Sequence, residues 1–201
     1  MLIHDSQLNN FSPESFSPDV FEVEKFKAGK YSDLVNIHMR KVTSAPNIDC
    51  YILQLGVNDY RYESSPSTYS NGFLKAVKNA ESAISTLLEK SSAKIVVSLP
   101  TPTPNKLEVL TTEFNKSVSD FITNMRQTKD YNRRLFTANN LASFNRAIEV
   151  SRNNSEKPNP LQSDNIHVSE YGFKKLCLNI KSGLYRSFGL STKRVQPQPE
   201  R

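Results

Sequence analysis

The chain has 201 residues, of which 37% are apolar and 23% charged, with a formal net charge of +6. That length suits one compact domain with a sizeable core, and the composition is that of a globular rather than a disordered chain. It excludes a membrane-spanning helix, which needs roughly 20 consecutive apolar residues, a disulfide scaffold built on Cys50 and Cys177 alone, and the G-x-G-x-x-G or P-loop spacings of dinucleotide and nucleotide binding.

In chain order, residues 2–5 predict a first strand and residues 21–26 a second. Residues 32–43 predict a helix with Leu34, Val35, His38 and Met39 near one face. A third strand over 50–55 is almost continuously hydrophobic, and so is a fourth over 95–99. Strands buried on both faces of a parallel sheet read this way. Between them, residues 73–88 repeat Leu74, Val77, Ala80, Ile84 and Leu87 or Leu88 at helical spacing. Residues 107–125 do the same with Leu110, Phe114, Val118, Phe121 and Ile122. A fifth strand over 135–138 precedes a last helix over about 169–188, with Leu176, Ile180 and Leu184 as its buried row.

Strand–helix alternation predicts an α/β three-layer sandwich around a five-stranded parallel, flavodoxin-like sheet of order 2-1-3-4-5. Residues 60–71 and 151–165 are polar and read as long loops, a frequent place for function. Residues 191–201, containing QPQPE, are expected to form a disordered basic Pro/Gln tail behind a domain spanning 1–190. The first strand begins almost at Met1, which suggests a domain cut from something longer. With no signal peptide or transmembrane segment visible, a cytoplasmic or other intracellular location is expected.

Charge is uneven. Residues 1–20 hold three acidic and no basic side chains, whereas residues 170–201 hold seven basic and two acidic ones. The basic end suits either a solvated helix face with a soluble tail or an approach to nucleic acid or anionic lipid.

Ligands of open α/β sheets bind beyond the carboxyl ends of the strands. Those ends present His4-Asp5-Ser6, Ala28-Gly29-Lys30 and Gly56-Val57-Asn58-Asp59, and Asp164-Asn165-Ile166-His167 precedes the last helix. A serine hydroxyl becomes a competent nucleophile when an imidazole accepts its proton. A carboxylate must orient that imidazole. Ser6, His167 and Asp164 can fill these roles, and the amides of Ser6 and Gly29 with the Asn58 side chain can hold an oxyanion. The scattered histidines and cysteines have no metal-ligand spacing, and no cofactor is required.

These four pieces, in this order, resemble the blocks of the SGNH (GDSL) hydrolase superfamily over residues 1 to about 188. The resemblance assigns Ser6 to the nucleophile, Gly29 and Asn58 to the oxyanion hole, and Asp164 and His167 to the D-x-x-H block. It implies an esterase of acetyl or short-chain acyl esters, with lipids and acetylated sugars as candidate substrates. The family's first block usually reads G-D-S, and here His4 stands at the glycine position. Either the backbone there is ordinary, or the pocket is crowded and the hydrolase degenerate. By analogy with the family, Asp5 and Asp59 support the backbone around the nucleophile and the oxyanion donor.

The LIHDSQL start, ILQLGVNDYRY and the basic tail are also similar to esterase domains in first-open-reading-frame proteins of LINE-type retrotransposons. That likeness implies RNA, anionic membranes and further copies of the same protein as partners. His4, two residues from Ser6 on the same strand face, and Tyr60, just after Asn58, are expected to line the substrate pocket. The rival expectation is a catalytically degenerate SGNH module that binds RNA or anionic membrane through its basic end.

Overall fold

The computed structural model describes residues 1–8, 21–61, 71–104, 107–127 and 129–190. The expected tail at 191–201 and most of the loop expected at 60–71 lie outside the described residues. Strands β1 (Leu2–His4), β2 (Lys25–Lys27), β3 (Cys50–Gln54), β4 (Lys94–Ser98) and β5 (Leu135–Ala138) form one sheet of order β2-β1-β3-β4-β5. Every neighbouring pair is parallel, as the alternation of strands and helices required.

Side chains of a strand alternate between faces, and β3 shows where each face goes. Tyr51, Leu53 and Leu55 enter one apolar cluster, while Cys50 and Ile52 enter the other. The first cluster is completed by α4 (Asn71–Lys90) and α5 (Glu108–Gln127) through Ile84, Leu87, Phe114 and Val118. The second is completed by α6 (Leu141–Asn153) and α7 (Glu170–Ser187) through Phe144, Ile148, Leu176 and Ile180. Both faces are dry, which explains why the central strands read as unbroken hydrophobic runs.

The structure corrects several expectations. The second strand lies at Lys25–Lys27 rather than 21–26. Phe21 and Val23 instead pack against the second cluster, with the Phe21 ring 5.6 Å from that of Tyr185. Leu74, expected on the buried face of α4, is 42% exposed, and its place is taken by Phe73 and Ala76. The helix expected over 32–43 is interrupted, because α1 (Tyr31–Asp33) passes through a π-helical stretch, Leu34–His38, into α2 (Met39–Thr43). Helix α6 was not anticipated, and residues 151–153 of the expected loop are its last turn. No helix among the described residues is long and apolar enough to cross a membrane.

Candidate active site

The site forms at the carboxyl edge of the sheet. Beyond β1, Ser6–Leu8 make a single 3-10 turn. The buried Asp5 carboxylate accepts the Gln7 amide at 2.9 Å and so closes that turn. Burial pushes the Asp5 carboxyl up to about 7, against the pull of the Gln7 amide and of nearby His167.

His167 arrives from the far end of the chain. Its Nε2 lies 3.4 Å from Ser6 Oγ, and its Nδ1 lies 2.6 Å from Asp164 Oδ2. Asp164 Oδ1 also accepts the backbone amides of Ile166 and His167, each at 2.9 Å. Partial desolvation pushes the Asp164 carboxyl upward, but these three hydrogen bonds outweigh it and hold the group down to about 2. Asp164 is therefore an anion at neutral pH, aimed at the nitrogen that would carry positive charge.

The loop holding this pair is tied to α7. Ser169 Oγ accepts the Gly172 amide at 3.1 Å as an N-cap, and Ser169 N donates to Pro160 O at 3.0 Å. A Cβ on Gly172 would sit 1.8 Å from the Pro160 carbonyl oxygen, so the close approach demands glycine.

Gly29 and Asn58 meet on the other flank. α3 (Val57–Tyr60) starts just after Gly56, whose φ of +134° excludes other residues in practice. A Cβ there would lie 2.8 Å from Pro100 and 2.9 Å from the Phe114 ring. Asn58 Nδ2 donates to Gly29 O at 2.9 Å, and Arg61 Nη1 donates to Asn58 Oδ1 at 3.1 Å. An amide nitrogen carries two hydrogens, so one Nδ2–H remains beyond the bond to Gly29. The Gly29 amide itself donates to His4 O at 3.2 Å. Asp59 accepts the amides of Tyr31 at 2.8 Å and Ser32 at 3.0 Å, fixing the chain just after Gly29. Burial raises its carboxyl and those two amides oppose the rise.

Two expected pocket residues are elsewhere. Tyr60 is fully buried, with its hydroxyl donating to Thr111 Oγ1 at 3.0 Å and its ring 5.1 Å from that of Phe114. One turn of α3 rotates it away from the mouth and into the core. His4 is 4% exposed, paired in register with Lys27 and Gln54, and its Nδ1–H donates to Asp5 O at 2.7 Å. Desolvation lowers its pKa, so it is a neutral, internally bonded imidazole.

A cleft of about 230 Å³ adjoins Ser6 and His167, with Gln162, Val168, Glu170 and Phe173 in its walls. A larger cavity of about 580 Å³ lies at the opposite edge among Met1, Phe21, Ile48, Leu184 and Phe188, away from this chemistry. Gln7, which the sequence does not single out, lines this cleft, and Arg61 reaches the site through Asn58. The visible signal for Gln7 was a polar side chain between a serine and a leucine at a strand end.

A flavodoxin-like sheet carrying these groups at its carboxyl edge is an arrangement of acyl ester hydrolases. The family model for GDSL-like lipase/acylhydrolase matches residues 20–180, and the chain belongs to that family. The matched span holds Gly29, Asn58, Asp164 and His167 but begins after Ser6.

Solved structures agree on the fold. An acetyl xylan esterase superimposes with a TM-score of 0.66 at 18% identity, covering 90% of this chain and 98% of that one. The C-terminal catalytic domain of peptidoglycan O-acetyltransferase A from Streptococcus pneumoniae gives 0.58 at 12% identity, covering 94% and 93%. A G-D-S-L lipolytic protein from Veillonella parvula gives 0.61 at 14% identity, covering 92% and 97%. Comparison with curated proteins found no match.

Proposed function

We propose that this acyl ester hydrolase is a serine esterase for acetyl or short-chain acyl esters, working through an acyl-enzyme on Ser6. The observation that carries the reading is the continuous chain from Ser6 Oγ to His167 Nε2 and from His167 Nδ1 to Asp164 Oδ2. The 3.4 Å first link is longer than the roughly 2.6–3.2 Å of a working proton transfer, and such links tighten once substrate is bound.

Ser6 Oγ attacks the ester carbonyl carbon while His167 Nε2 takes its proton. The carbonyl π electrons move onto oxygen, and the oxyanion accepts from the spare Nδ2–H of Asn58 and from the Ser6 and Gly29 amides. For Gly29 to contribute, its N–H must be shared with the His4 carbonyl. Asp164 holds His167 in the tautomer with its proton on Nδ1 and stabilises the imidazolium. The tetrahedral intermediate collapses, the C–O bond to the leaving alcohol breaks, and His167 returns the proton to that oxygen. Water, deprotonated by His167, then attacks the acyl carbon and frees the carboxylic acid and Ser6.

The substrate is a small acyl ester, and an acetylated sugar fits the company of acetyl xylan esterase folds. Residues 1–190 serve as the catalytic domain. Hydrolysis of p-nitrophenyl acetate by the native protein, Ser6→Ala and His167→Ala tests the reading. Each substitution should lower kcat by several orders of magnitude, up to about a millionfold. Equal rates in three folded proteins would sink it and favour the degenerate binding module.

A further inference from the structure

Gln7 takes no part in the steps above, yet its side chain joins the nucleophile's turn to the histidine's loop. Its Nε2 donates to Ile166 O at 3.1 Å and to Thr101 Oγ1 at 3.3 Å, and its Oε1 accepts from Gln54 Nε2 at 3.1 Å. Gln7, Gln54 and Thr101 are all buried, so the bonds among them are shielded from competing water, while the bond to Ile166 is partly buried. We infer that Gln7 is a positioning residue that sets the distance between Ser6 and His167. The inference rests on the reading of those two residues as nucleophile and base.

The argument turns on one peptide unit. Ile166 O and His167 N belong to the same planar group. Gln7 holds the oxygen of that group, and Asp164 Oδ1 holds its N–H at 2.9 Å. His167 O also accepts the Gln162 amide at 2.8 Å, so the peptide units on both sides of His167 are held, and with them the direction in which its side chain leaves the backbone. The loop needs such a tie, since the Asp164 and His167 side chains are 44% and 37% exposed and residues 154–167 contain no helix. The nucleophile's turn is rigid by contrast, with Gln7 and Leu8 buried. Gln7 thus fastens an exposed segment to a buried one across most of the chain.

Gln54 points to the same conclusion. Its Nε2 donates into Gln7 Oε1 while its own Oε1 is buried with no hydrogen-bond partner among the described residues. Orphaned buried oxygens are rare and costly, and this one accompanies the bond that orients the Gln7 amide. The Ile166 carbonyl selects the same orientation without Gln54, because only the NH₂ end can donate to it.

The test compares Gln7→Met, which keeps length and burial but loses all three bonds, with Gln54→Met, which leaves the tie to Ile166 in place. On p-nitrophenyl acetate, Gln7→Met should lose about 10- to 100-fold in kcat, the scale of a misplacement of roughly an ångström. KM should stay within about twofold, because Met keeps the bulk that Gln7 gives the cleft wall. Gln54→Met should keep a third or more of the native kcat. In Gln7→Met the ¹⁵N resonances of the His167 ring should shift, reporting a changed contact with Ser6. Native kcat in Gln7→Met, or an equal loss in Gln54→Met, overturns the inference. Should the native protein prove inactive, the esterase reading falls and the ring resonances alone decide. Resonances unmoved in Gln7→Met then overturn the positioning role.

Discussion

In the proposed mechanism the site has a base side and an oxyanion side, and the two are held by different means. On the base side, Asp164 grips His167 within one turn of chain, through two contacts to the same residue and one to Ile166. On the oxyanion side, Asn58 is held by Gly29, from the loop after β2, and by Arg61, above a glycine wedged between Pro100 and Phe114. The first half is exposed and turns on one carboxylate, with the Gln7 side chain as its one long-range tie among those described. The second is assembled from distant segments and braced at both ends of one amide. A single substitution should therefore cripple the first, while the second should tolerate loss of a brace.

Asp164→Ala offers the harshest contrast. It removes the anion, the tautomer control and the loop's hydrogen bonds together, and kcat should fall by about 10³- to 10⁴-fold. Asn58→Ala removes one oxyanion donor and should cost about 10²- to 10³-fold. Both follow from kcat on p-nitrophenyl acetate, and an Asn58→Ala loss equal to that of Asp164→Ala would erase the distinction. Arg61→Ala strips one brace from Asn58 while the bond to Gly29 stays. Its kcat should drop about tenfold or less, and a loss matching Asn58→Ala would show that the guanidinium acts on the oxyanion directly.

The smallest effect concerns stability. The Asp5 carboxyl is raised to about 7 in the folded protein from an ordinary 3.8, so between these values the folded state holds more protons than the unfolded one. Stability from this group is full below about 4 and declines as pH rises through about 7. His4, lowered by desolvation, works in the opposite sense near its ordinary 6.5. Asp5→Asn isolates the carboxyl, since the amide oxygen can still accept from Gln7 N. Thermal unfolding should show the native protein losing several °C relative to Asp5→Asn between pH 5 and pH 8, a pH range that brackets the ionisation. A constant gap would mean that Asp5 does not titrate there.

What the sequence reveals of this molecule follows the same divide. Asp164 and His167 meet through a three-residue spacing, and such a pair can be seen without a fold. Strands β3 and β4 are equally visible, because both their faces are buried and their hydrophobic runs are broken only by Gln54 and Ser98. The edge strand is harder to place. Phe21 and Val23 imitate a strand's alternation but pack, partly buried, against the second apolar cluster, and the ladder begins only at Lys25. Helix α6 carries its signal in Phe144, Ala147 and Ile148, spaced at three and four, which a polar stretch rich in Asn, Ser and Arg obscures. Tyr60 looks like part of a polar Tyr-Arg-Tyr run, yet it is core, since burial is decided by the turn that follows Gly56. Gln7 is the least legible of all, because its partners at 54, 101 and 166 come together only in the folded chain.

Ser6 and His167 are separated by 161 positions, with four of the five strands and most of the helices threaded between them. During synthesis at about 5–20 residues per second, Ser6 leaves the ribosome several seconds or more before His167. On the proposed serine-esterase reading, Ser6 has no base to activate it throughout that interval. Turnover would then first appear when the Asp164–His167 segment docks, and its onset would time that docking.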